Sequence, residues 1–438
     1  MALGGGTFTA KNKVMPGAYI NFVSAANANA GLAERGTAAM PLELDWGVDG
    51  EIFEVTSGEF IEKCAEIFGY DYSHPKMAGL RDLFLNARTL YAYKLTSGGK
   101  KAKNTYAEAL YTGVRGNDIK IVIQTNADDE TKFDVITMLD DAAVDTQTVS
   151  TADELKPNGF VAFLEAETLE ATAGIPLSGG ENGVVNGEAH QAFLDKIEVC
   201  SFNTLGAAVE DKSVKGMYAA FAKRMRDEVG VKFQVVLHNY AADHLGVINV
   251  KNEVKVSENS SFNKAALVYW VTGVAAGCVI NSSIQNRIYN GEFDVDTEFT
   301  QAELTKSIEA GEFVLHKAGG DIRVLKDINS KVTVSDSEGE IFKENQTVRV
   351  MDQIANDIAV LFNTKYLGAI PNDAAGRVSL WADIVEHHRQ LEQIRAIENF
   401  NEEDVTVEQG SGKKSVVVSD SVTVVGSMDK LYMTVMVA

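Results

Sequence analysis

The chain has 438 residues, of which 45% are apolar and 23% charged, and a formal net charge of -22. That length exceeds a single hydrophobic core and implies two to four domains. The charge repels phosphate backbones, which argues against a nucleic-acid partner, and no apolar run is long and pure enough to span a membrane. Cys64, Cys200 and Cys278 are odd in number, far apart and in no metal-ligand spacing, as expected of free buried thiols in a reducing compartment. The opening MALGGGTFTAKNKVMPG lacks an apolar core of signal-peptide length. The expectation is a soluble protein of the cytosol, or one released by lysis.

Residues 1–14 read as a Gly-rich arm, pliant at Gly4, Gly5 and Gly6, with Phe8 in a short extended piece. Pro16-Gly17 makes a turn before a strand over 18–23. Strands are expected within 32–46 and at 52–55. Ser57 is placed to cap a helix over 58–68, whose Phe60, Ile61, Cys64, Ala65 and Phe68 share a face. A second amphipathic helix covers 76–87, and 89–95 reads as a strand.

Beyond Thr96-Ser97-Gly98-Gly99 the texture changes to short β-like runs divided by turns, up to about Leu177. This predicts a small all-β domain inserted into an α/β domain. Helices then follow over 188–200 and 212–229, strands over 231–237 and 246–250, and an apolar helix over 261–280. Thr300 and Glu303 have capping-box spacing for a helix over 300–310. Segments 312–316 and 321–325 pair around Gly319-Gly320. Two further helices, 348–366 and within 372–399, belong to a last domain.

The end of the chain is rich in β-formers. A first run contains Val416, Val418, Val422 and Val424; a second alternates Leu431, Met433, Val435 and Val437 with other residues. Gly410, Ser411 and Gly412 read as a soft tether ahead of them. An apolar strand pair with an open edge is an aggregation hazard. It either folds back onto its own domain or adds to a sheet in another copy.

Tests for chemistry fail. His387 and His388 are neighbours on a helix, about 100° apart around its axis, and cannot chelate one metal together. His238 to His244, at a strand end, is the most enzyme-like stretch, and a satisfied loop cluster explains it as well. No Gly-x-Ser-x-Gly elbow, Walker loop or His-Glu-x-x-His is present. No catalytic residue, cofactor or metal is expected.

Several segments carry a family signal in their order: Pro16-Gly17-Ala18-Tyr19, Leu44-Asp45-Trp46-Gly47, Gly113-Val114-Arg115-Gly116-Asn117-Asp118-Ile119, Leu177-Ser178-Gly179-Gly180-Glu181-Asn182-Gly183 and Gly273-Val274-Ala275-Ala276-Gly277. On these the chain resembles contractile tail sheath proteins of phages and phage-like bacteriocins, of the diffocin or PBSX type of Firmicutes. The resemblance implies an α/β core that is subtilisin-like in shape only, with an inserted β-sandwich and an α+β C-terminal domain carrying extended terminal strands. It implies an N-terminal arm over 1–22, the core over 23–96 and 179–329, the sandwich over 97–178, a C-terminal domain over 330–412 and terminal strands over 413–438.

By the same resemblance, six subunits form a ring, and rings stack helically around a tail tube protein between baseplate and tail terminator proteins. Contraction from a metastable extended state drives the tube through a cell envelope, without nucleic acid or direct membrane insertion. The arms are expected to exchange strands between subunits. Phe8 and the eight residues Val416, Val418, Val422, Val424, Leu431, Met433, Val435 and Val437 mark those strands. Arg389 and Arg395 are candidates to face the tube, with a solvated helix face as the alternative. The rival functions are a hydrolase built on the α/β core and a self-assembling surface-layer protein.

Overall fold

In a computed structural model describing residues 32–164, 168–257 and 261–437, the chain divides into a larger unit, Arg35–Val348, and a smaller one that includes Arg349–Ala438. The larger unit opens with β1 (Thr37–Leu42), β2 (Ile52–Thr56), α1 (Ser57–Glu62), α2 (Cys64–Phe68), α3 (Ala78–Phe84) and β3 (Thr89–Lys94). The cap of α1 is Thr56, not Ser57: its side chain accepts from the Glu59 N–H while Glu59 reaches back to the Thr56 N–H. Two adjacent hydroxyl residues competed for the cap, and the one three positions before a glutamate won. The expected single helix breaks at Lys63, and α2 ends on Gly69, whose left-handed φ of 78° favours glycine.

After the insert, whose seven strands are described below, come α4 (Gly187–Ile197), β11 (Thr204–Ala207), α5 (Lys212–Arg224), β12 (Gln234–His238) and β13 (Val247–Val250). They are followed by α6 (Leu267–Gly277), α7 (Gln301–Glu309), β14 (Glu312–Phe313), β15 (Leu315–Ala318) and β16 (Asp321–Val324). Strand order in the main sheet is β14-β13-β12-β11-β1-β3-β2, parallel throughout except that β2 runs antiparallel to β3. A parallel sheet is covered on both faces, and its strands read as continuous apolar runs.

Alternate residues feed two cores. Ala38, Met40, Leu42, Val236 and Ile248 join Leu83, Trp270 and Val274 on one side. Ala39, Leu205, Val235 and Leu237 join Phe193, Tyr218 and Phe221 on the other. The apolar helix α6 lies hard against α3: a Cβ on Gly273 would sit 2.2 Å from the Leu83 carbonyl oxygen, and one on Gly277 2.0 Å from that of Asn86. Small residues there let two backbones touch.

The insert holds β4 (Lys101–Lys103), β5 (Ala107–Thr112), β6 (Ile119–Thr125), β7 (Phe133–Leu139), β8 (Ala142–Val149), β9 (Val161–Phe163) and β10 (Thr172–Pro176). They form two antiparallel sheets, β4-β5-β9 and β10-β6-β7-β8, around Ala107, Ile119, Ile121, Ile123, Val135 and Val161. Its junction with the α/β part is built from buried side chains. Trp46, from the α/β segment, packs in the sandwich core, edge-on to Tyr111 with ring centroids 5.2 Å apart, and its Nε1 donates to the Glu66 carbonyl. Lys94, fully buried, donates to the Thr112 carbonyl at 2.6 Å and pairs with Asp49 at 3.1 Å. Arg115 donates through Nε to the Gly69 carbonyl and is ion-paired with Asp118 and Asp140.

The smaller unit holds α8 (Asn345–Leu361) from Arg349 on, and α9 (Ala374–Gln393), followed by β17 (Ile397–Glu398), β18 (Thr406–Gln409), β19 (Val416–Ser419) and β20 (Thr423–Val424). Leu361, Tyr366, Leu380, Ile384, Val385 and Val405 form its core, and Trp381 Nε1 donates to the Val405 carbonyl. Strands pair antiparallel as β18–β19 and β17–β20.

Candidate functional site

The enzyme-like stretch is a structural clamp. His238 is buried, and burial together with Lys215 pushes its imidazole down to about 4, so it is neutral. Its Nε2 faces the Asn239 amide at 3.1 Å. The Asp243 carboxylate accepts from the Thr333 hydroxyl and from the N–H groups of Thr333 and Val332, which hold it at about 2. Asn239 and Asp243 both have positive φ, as a tight turn requires. Burial raises the Cys64 thiol to about 12, and a thiol in that state is a poor nucleophile. Among the described residues no cluster of His, Cys, Asp or Glu is placed to hold a metal, and no helix is long and apolar enough to cross a membrane.

A cavity of about 470 Å³ lies beyond the carboxyl ends of β1, β3 and β11. Open α/β sheets commonly bind ligands at such a position, beside the strand where the order reverses. Four polar side chains on its wall are committed to each other: Asp45 accepts from Tyr70, Asn182 and Lys76, and Lys76 also donates to Tyr70. Burial would raise the Asp45 carboxyl, but the hydrogen bonds from Lys76, Asn182 and Tyr70 hold it below its ordinary value. The arrangement ties the α/β part to the exit of the insert.

The C-terminal segment is different. From Val425 to Val437 the backbone enters no helix or strand, although the Val425 N–H donates to the Ala396 carbonyl. Leu431, Tyr432, Met433, Val435, Met436 and Val437 are 67–93% exposed. Burying one such side chain stabilises by about 1.5–3 kcal/mol, so the exposed set is a large unclaimed driving force. Large apolar residues clustered and exposed on a stretch outside regular secondary structure mark an interaction segment.

The expected strand residues divide. Val416 and Val418 pair with Gln409 and Val407 within the same unit, and Val424 pairs with Ile397, while Val422 lies half-buried just before β20. Leu431, Met433, Val435 and Val437 lie on the exposed stretch, where the second expected strand does not form. Gly410, Ser411 and Gly412, expected as a tether, make the closing turn of β18–β19. The Gly410 N–H donates to the Ser415 carbonyl, and the Asn372 amide donates to the carbonyls of Lys413 and Ser415. The hydrogen bonds of a hairpin turn outweigh the pliancy its composition suggests.

Phe8 and Gly4, Gly5 and Gly6 lie outside the described residues. Arg389 is exposed but ion-paired with Glu402. Arg395 is exposed in a left-handed conformation past the end of α9, so the two arginines do not share a helix. Sequence reasoning missed the setting of His387 and His388. Both are buried, each against a carboxylate, Asp357 and Asp420 respectively, and the only signal for it was two histidines within an otherwise amphipathic helix.

Models of four sheath-protein domains match the chain from residue 35 onward. The Tail sheath protein Gp18 domain III N-terminal region matches 35–95, the Phage tail sheath protein beta-sandwich domain 97–182, the Phage tail sheath protein central domain 183–330 and the Phage tail sheath C-terminal domain 337–438. The phage-like element PBSX protein XkdK of Bacillus subtilis is 33% identical, with 99% of each chain covered. The sheath tail protein of Desulfitobacterium hafniense is 36% identical with a TM-score of 0.81, covering 95% of this chain and 99% of its own. That of Listeria innocua is 30% identical with a TM-score of 0.77, covering 93% and 96%. The helical sheath of the anti-feeding prophage in its contracted state, at 13% identity and a TM-score of 0.56 over 97% and 99%, shares the fold.

Proposed function

The chain belongs to the phage tail sheath protein family, whose members are structural rather than catalytic, and from that premise we propose that it is the repeating subunit of a contractile sheath on a phage-like tail particle. Six copies make a ring, and rings stack helically around a tail tube, between a baseplate and a terminator. The sheath is assembled extended and metastable, and contracts to drive the tube through a cell envelope. A heterologous contact whose rotation does not close generates such a helical array. A relative of the same fold is a helical sheath captured contracted.

The observation that carries the reading is the exposed apolar run from Leu431 to Val437. In this reading it adds as a strand to a small sheet of the smaller unit in an adjacent copy, where β17–β20 and β18–β19 are two-stranded and short of partners. Residues 1–22 act as the opposite arm, with Phe8 in its strand. Val416, Val418, Val422 and Val424 form the receiving side rather than the donated one. The α/β core keeps the domain limits given above and a subtilisin-like outline without its chemistry. Arg395, more than Arg389, is the candidate to meet an acidic tube.

Electron microscopy of the purified chain tests this. Striated hollow tubes are expected, and they should vanish when residues 425–438 or 1–14 are deleted from a chain that still folds. Monodisperse particles from the full chain, or full-length tubes from either deletion, would overturn it.

A further inference from the structure

The smaller unit holds a line of four titratable side chains that assembly by strand addition does not call on. Asp357 comes from α8, His387 and His388 from α9, and Asp420 from the link between β19 and β20. Asp357 Oδ2 lies 3.0 Å from His387 Nε2, the two Nδ1 atoms lie 3.2 Å apart, and His388 Nε2 lies 2.8 Å from Asp420 Oδ2. The rings and Asp357 are buried, whereas Asp420 is 26% exposed. Gln353 donates to both Asp357 oxygens at 2.9 Å. Phe400 sets its ring against His388, and its N–H donates to Glu392. The other charges nearby on α9 are engaged elsewhere, Arg389 with Glu402 and Glu386 with Gln390.

Three contacts join these four groups, and each needs one hydrogen. A neutral imidazole brings a single N–H, and a carboxylate brings none. Two neutral rings thus supply two hydrogens for three gaps, and the third gap sets lone pair against lone pair. We infer that the histidine pair holds one additional proton, and that this proton closes a clasp fixing the root of the C-terminal segment through Asp420. An imidazolium between two carboxylates also suits the charge. When the proton leaves as pH rises, one contact must open. The Asp420 gap is the one water reaches, so His388 releases the link that leads into β20 and residues 425–437. His387 and His388 are positioning residues for that segment. The consequence for sheath assembly rests on the proposed strand addition; the clasp itself does not.

Hydrogen exchange of the unassembled full chain, followed at the amides of 416–424 and corrected for intrinsic rate, tests this between about pH 6 and about pH 9. Protection should fall about tenfold or more as pH rises. Asp420→Asn supplies the third hydrogen from its own amide, so its protection should stay at the low-pH level throughout. Asp420→Ala offers no partner and should sit at the high-pH level throughout. A flat wild-type profile, or an Asp420→Asn profile falling like wild type, overturns the clasp. Microscopy of the same samples separates the two ideas: normal tubes with a flat profile sink the clasp alone.

Discussion

The junction of the β-sandwich with the α/β part and the stretch after Val425 are built on opposite terms. At the junction every strong group is spent inside the subunit: Trp46 is buried among sandwich residues, Lys94 is buried on Asp49 and Thr112, and Arg115 is committed to Gly69 and two aspartates. After Val425 a row of large apolar side chains stands exposed. A protein that changes shape as an array needs both kinds. Rigid bodies transmit force because their interiors are close-packed, and links between bodies must be made from surface each copy leaves free.

The largest expected effect separates the two regions outright. Deleting residues 425–438 should abolish tube formation while moving the thermal midpoint of the isolated subunit by less than about 3 °C, read by calorimetry. A collapse in stability would mean that the segment belongs to its own core. Trp46→Ala should do the reverse, costing about 3–5 kcal/mol in urea unfolding through the cavity it leaves. A loss under 1 kcal/mol would mean, on that scale, that the junction is loose.

A third prediction concerns a buried charge in the larger unit. Asp82 is fully buried, and burial raises its carboxyl to about 6 despite hydrogen bonds from Tyr289 and the Glu292 N–H. The folded state then holds this proton more tightly than the unfolded chain does. Its contribution is greatest below about pH 4 and is lost as pH rises through about 6. Asp82→Asn should therefore stabilise by about 1–3 kcal/mol at pH 8 and by little at pH 4, checked by urea unfolding at both. Smallest is Asn372→Ala, which frees the β18–β19 turn and should cost about 0.5–1.5 kcal/mol, visible as faster exchange at residues 410–415.

How much of this was legible varies with the range of the interactions involved. The Thr300 and Glu303 capping box is local, and it stands as expected. The sandwich insert shows through the spacing of its turns. β11, four residues of Thr204–Ala207, was missed because it is short and made of small residues, and its character as a central strand comes from β1 and β12 on either side. The Val416 to Val425 run read as one strand. It is split at Asp420, and each half pairs with a different partner, a choice made by tertiary packing on α9. The burial of Lys94 and of the two histidines was not legible, because nothing in their own vicinity along the chain announces what surrounds them. The terminal run was read correctly as apolar, but it forms no strand within the subunit, and which part of the chain end is already paired there is a long-range fact.

Trp46 has a consequence for how the molecule can be taken apart. Its indole fills the sandwich between Tyr111 and Phe160, yet it lies some fifty residues before the insert begins. Residues 97–182 excised as a fragment would carry an aromatic-lined hole and would tend to self-associate. Anyone transplanting this β module onto another scaffold, or replacing it with a reporter, must move the Asp45–Trp46 turn with it or plug the gap.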